Sequence, residues 1–159
     1  MSWLRVLLII AFLVVFMNAD INVRFAGGYA SGQELASPAE YCELEGIIRG
    51  ALEDESWMTC KSKEEVRSNL SRYFGGCLRD DLTERTWAFI AGPTDWYSRY
   101  RMIYMKVLYV DDKRAVVEAL ARIEEMDTGH NETGEWLFSV YRTGECWRIE
   151  YLTQITSDL

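Results

Sequence analysis

The chain has 159 residues, 49% of them hydrophobic and 26% charged, with a formal net charge of −8. That length suits one domain with a real core, and its aromatic content excludes a disordered chain. The acid excess repels phosphate backbones and anionic headgroups, which argues against nucleic-acid binding.

After Arg5 the run Val6 to Met17, VLLIIAFLVVFM, carries no charge. As a helix rising about 1.5 Å per residue it spans roughly 18 Å, short of a hydrocarbon core of roughly 30 Å. The length suits the apolar region of a signal peptide, and Arg5 supplies the positive start. Ala19 offers a small residue for cleavage, but Met17 fits the Ala-x-Ala pattern poorly. A cleaved signal and a retained anchor through residues 3–17 therefore stand side by side. Either one predicts an extracytoplasmic domain, secreted or anchored to the membrane. The predicted organisation is 1–19 signal or anchor, 20–36 glycine-bearing tether and 37–159 folded domain.

Three helical stretches follow. Ser37-Pro38-Ala39-Glu40 is a capping box with Pro at the first helical position, ahead of Tyr41, Leu44, Ile48, Ala51 and Leu52 at helical spacing. Ser62-Lys63-Glu64-Glu65 repeats the signal before Val66, Leu70, Tyr73 and Phe74, and Gly75-Gly76 reads as the stop. Asp81-Leu82-Thr83-Glu84 opens a shorter third helix that closes at Ala91-Gly92-Pro93. From Arg101 the period falls to two, and RMIYMKVLYV, RAVVEALARIEE, EWLFSVYR and CWRIEYLTQI read as four strands. Asp111-Asp112-Lys113 and Thr143-Gly144-Glu145 make the first and last turns. Ala115, Val117, Ala119, Ala121 and Ile123 share one face of the second strand, leaving room for close cover. The fold class is α+β, two or three helices packed on a curved antiparallel sheet of about four strands.

That order, with LSRYF, RTWAFIAGPTDWYSRYRM, VLYVDDKRAVVEALARI and the closing GECWRIEYL, resembles the nuclear transport factor 2-like (cystatin-like) superfamily. It looks like small exported or membrane-tethered bacterial members. The resemblance covers about residues 37–156 and implies a cone whose open end forms a pocket. Trp57, Tyr73, Trp87, Trp96, Tyr97, Tyr104, Trp136 and Tyr141 are the pool from which a lining would come, against the plainer reading that most fill the core. The resemblance also implies that the sheet face can pair into a homodimer.

Catalytic members need a carboxylate in an apolar pocket. Asp95, between Thr94 and Trp96, is the nearest candidate base, although Asp after Pro93 commonly bonds its own backbone in a turn. His130, the single histidine, lies in a polar loop rather than beside a nucleophile. Glu124, Glu125, Asp127, Glu132 and Glu135 crowd that loop without the order of a calcium site, so no metal and no cofactor are expected. Cys42, Cys60, Cys77 and Cys146 lack zinc or redox spacing. If a disulfide forms, antiparallel helices favour Cys42–Cys77. Together these features predict an exported or membrane-tethered noncatalytic domain that binds a protein partner or a small apolar ligand. The alternatives are an isomerase- or dehydratase-type pocket enzyme with Asp95 as base, and an assembly subunit of a membrane secretion or conjugation complex.

Overall fold

In a computed structural model, which describes residues 36–92 and 97–155, both capping serines cap their helices, Ser37 within a reciprocal capping box. The Ser37 hydroxyl accepts from the Glu40 N–H while the Glu40 carboxylate accepts from the Ser37 N–H, which satisfies donors that the first turn leaves open. Helix α1 (Pro38–Glu53) follows and buries Leu44 and Ile48. A 3₁₀ turn, Ser56–Thr59, leads to α2 (Lys63–Leu70), which Ser62 caps through the Glu65 N–H. Helix α3 (Gly76–Ala91) begins well before Asp81, the start expected from sequence. Gly75 is its N-cap, and Gly76 enters it with φ +54, so the pair opens a helix rather than ending one.

Strands β1 (Ser98–Val110), β2 (Arg114–Glu125), β3 (Asn131–Thr143) and β4 (Cys146–Ile155) form one antiparallel meander in chain order. The β1–β2 turn is held by Asp111, whose Oδ1 accepts from the N–H groups of Lys113 and Arg114 at 2.8 and 2.7 Å. The loop expected over 126–134 is tighter than predicted: Gly129 closes it and β3 already starts at Asn131.

The sheet has two unlike faces. Ala115, Val117, Ala119, Ala121, Trp136, Phe138, Val140 and Ile149 are buried and share one core with Leu44, Ile48, Val66 and Leu70 of the helices. The alternate residues, among them Glu118, Leu120, Leu137 and Tyr151, face away from the helices. Irregularities at Ile103 and Leu108 in β1 and at Glu150 in β4, opposite Ser139–Val140, shift the phase of alternation in those two strands.

Both edges of the sheet are managed. Along β1, Glu53 of α1 accepts from the Met102 N–H at 2.9 Å and Tyr41 donates to the Met105 carbonyl at 3.3 Å. Along β4, Ile149 pairs with Phe74 in a parallel bridge, with its N–H to the Tyr73 carbonyl at 2.8 Å. Helix and turn thus occupy backbone positions at which another chain could otherwise pair.

Candidate functional site

Two clusters and one surface carry the chemistry of the domain. The first cluster joins the end of α1 to the turn after α2. Asp54 accepts from the Ser56 N–H through Oδ1 at 2.8 Å, and through Oδ2 from the Tyr73 hydroxyl and the Arg72 guanidinium, both at 2.7 Å. Arg72 and Asn69 also donate to the Ser56 hydroxyl, at 2.7 and 2.6 Å. The Tyr73 ring passes so close to Gly50 that a Cβ there would lie 2.8 Å from its Cζ. Burial raises the Asp54 carboxyl, but the Ser56, Tyr73 and Arg72 contacts outweigh it and hold the group below the usual carboxylate range. Burial first, then the bond to Asp54, pushes the Tyr73 phenol up. A carboxylate beside a tyrosine is the pair an isomerase needs, yet this one has donors on both oxygens and a lowered proton affinity. That disfavours proton abstraction. The cluster is a structural clamp.

The second cluster fills the small-residue face noted on β2. Ala119 pairs with Trp136 and Ala121 with Gly134. The indole of Trp136 folds back over Gly134, and Tyr100 packs on it edge-to-face at 5.9 Å between ring centroids. Trp136 is buried, so the trough is occupied by the chain's own aromatic groups.

The surface is the outer face of the sheet. The row Tyr104, Leu120, Glu135, Ile155 crosses all four strands, and Lys106, Glu118, Leu137, Thr153 and Tyr109, Val116, Ser139, Tyr151 run beside it. Tyr151 is 50% exposed, Tyr104 42% and Ile155 37%, and Ile103 in the β1 irregularity is 49% exposed. Tyr104 donates to Glu118 at 3.2 Å and to Glu135 at 3.4 Å, which ties the tyrosine to two carboxylates of this face.

The aromatic pool is therefore divided. Trp136 and Tyr73 pack inside with Trp87 against the core, and Trp57 meets Phe89 edge-on at 5.9 Å. Tyr97 is half-buried beneath the Arg99 guanidinium at 5.7 Å. Tyr104 and Tyr141 lie on the outer face, where Tyr141 packs against Tyr151, and cannot share a lining with Trp136. Asp95 and Trp96 lie outside the described residues, as do the apolar run Val6–Met17 and positions 20–35. All four cysteines are free, so no Cys42–Cys77 bridge is present. Cys77 sits in the first turn of α3, not at the end of α2 as the proposed pairing required. His130 is exposed in the β2–β3 turn.

A cleft of about 340 Å³ between α2 and α3 is lined by Lys63, Glu64, Arg67, Asp80, Thr83 and Glu84. Lys63 pairs with Glu84 and Arg67 with Asp80, so both of its cations are matched within the cleft. Among the described residues no group of acids, His or Cys is placed to hold a metal ion, and no helix is long and apolar enough to cross a membrane.

No family model matches the sequence, and no curated protein matches it. Solved structures do match. Aln2 from a Streptomyces species aligns with a TM-score of 0.54 at 14% identity, over 76% of this chain and 93% of that one. A protein of unknown function with a cystatin-like fold from Nostoc punctiforme gives 0.52 at 9% identity, over 77% and 94%. A domain of unknown function with a cystatin-like fold from the same organism gives 0.51 at 15% identity, over 77% and 80%. The fold is cystatin-like, as the sequence resemblance implied, and identities this low extend to the fold alone.

Proposed function

We propose that this is a noncatalytic binding domain that engages a protein partner through the outer face of its sheet. The observation that carries the reading is that face: Tyr104, Tyr151, Ile103 and Ile155 stand exposed around Leu120 and Leu137, with the helices all on the other side. Contiguous apolar surface of this kind marks interaction sites in soluble domains. Two further features support binding over catalysis. The Asp54–Tyr73 pair is saturated with donors, and the trough that could have received an apolar ligand holds Trp136 and Tyr100. The run Val6–Met17 motivates an exported or membrane-tethered setting for this interaction.

Photo-cross-linking from the full chain in its native host tests the reading. A photoreactive side chain in place of Tyr104 is expected to give protein adducts in an extracytoplasmic or membrane fraction, and one in place of Arg67 on the helical side is not. Adducts from Arg67 alone, or turnover of a substrate abolished by Asp95→Asn, would sink it.

A further inference from the structure

The two edges of the sheet are not protected alike. Along β1, Glu53 and Tyr41 occupy backbone groups, Arg99, Arg101 and Lys106 put charge on the strand, and Ile103 and Leu108 interrupt its pairing. Cover, charge and irregularity are the devices that keep an edge strand from pairing with another chain. Cover of β4 stops at Ile149, whose N–H donates to the Tyr73 carbonyl at 2.8 Å and whose carbonyl accepts from the Gly75 N–H at 2.9 Å. The covering segment then turns into α3 at Gly76. Beyond Glu150, where the register shifts, β4 runs on as Tyr151-Leu152-Thr153-Gln154-Ile155. Those five residues carry no charge, Pro or Gly, and they pair with β3 without a break. Among the described residues no backbone hydrogen bond reaches them from outside the sheet.

We propose that this stretch pairs antiparallel with its own counterpart in a second copy of the chain, with Thr153 on the two-fold axis. The segment complements itself in that register. Tyr151 faces Ile155 at both ends, Leu152 faces Gln154, and Thr153 meets its counterpart, so no like charges come together. Aromatic–β-branched and Thr–Thr pairs of this kind favour strand pairing. The existing cover leaves room for the ladder. The position facing Ile149 would be 157, past the end of β4, so Tyr73–Gly75 of each copy lies beyond the paired residues. Residues directly opposite in such a ladder share one side of the sheet, so the four strands become eight and both outer faces look the same way. That arrangement goes beyond the partner reading above and keeps its surface open, whereas face-to-face pairing would close it. Five residues of edge bury less than the roughly 1,200 Å² of a stable interface, so the dimer is reversible.

The experiment uses the purified full chain in dodecyl maltoside micelles, with a photoreactive side chain in place of Ile155. A covalent dimer is expected, its yield rising with protein concentration up to about 1 mM and its cross-link mapping to positions 150–152 of the second copy. Thr153→Lys sets two ammonium groups together at the axis and lowers the yield about tenfold or more. Thr153→Val preserves the yield, and Lys106→Glu on the opposite edge strand leaves it unchanged. In the wild-type chain, amide exchange within Tyr151–Ile155 slows as concentration rises, a readout that stands even if Thr153→Lys disturbs folding. No dimer up to that concentration, or a dimer indifferent to Thr153→Lys, overturns the proposal. So does a cross-link that maps to β1, β2 or the run Val6–Met17.

Discussion

At the scale of single residues the clamp around Asp54 decides how the helical layer is joined. Gly50→Ala sets two effects against each other. Alanine gains about 1 kcal/mol over glycine inside a helix. Its Cβ, however, meets the Tyr73 ring, which must move and give up its bond to Asp54, and overpacking of that kind costs about 1–3 kcal/mol. The expected net is a loss of stability in urea unfolding, and a gain would refute the close packing. Asp54 also couples stability to pH. Its folded carboxyl lies below the usual range, so its contribution is present above the unfolded value of about 3.9 and fades as pH falls through the lowered folded value. Asp54→Asn is therefore expected to destabilise the domain at pH 7 by about 1–3 kcal/mol. The gap to wild type should narrow by pH 3, and a gap that does not change with pH would show the carboxylate's charge to be irrelevant.

At the scale of elements, what could be read from sequence was what neighbours along the chain encode. Ser37 and Ser62 announced their helices because a hydroxyl and an N–H three residues apart make the cap by themselves. The four strands were legible because their pleat repeats every two residues. Gly75-Gly76 misled because glycine serves both helix ends, and the choice here depends on Gly75 meeting Ile149 and Arg148 of β4. Tyr104 reaches the outer face through the irregularity after Met102, which leaves no local signature, whereas Tyr141 is five positions from Trp136 on a regularly paired strand, so alternation alone separates those two. The protection of the β1 edge was equally hidden, since Glu53 and Met102 are far apart in sequence. Glu53→Ala strips the Met102 N–H of its acceptor and frees Arg101. The expected result is a loss of about 1–3 kcal/mol with faster hydrogen exchange at Met102. Unchanged exchange there would mean that the carboxylate is not what holds the edge.

At the scale of the whole molecule, the question is whether the fold's interior or its outer face does the binding, and Trp136 is where the two readings separate. Small residues at Ala119, Ala121 and Gly134 leave a trough on the inner face, and the indole and Tyr100 fill it. Trp136→Ala removes that filling and is expected to cost about 3–5 kcal/mol, less whatever Tyr100 recovers by moving inward. An apolar cavity left behind stays dry and accepts a small apolar molecule. Indole added to the variant should therefore raise its melting temperature progressively with indole concentration, while wild type shows no shift because its site is already filled. If indole stabilises wild type as much as the variant, the trough has room that the packing does not show. Small-ligand binding would then displace the outer sheet face as the better account of this domain.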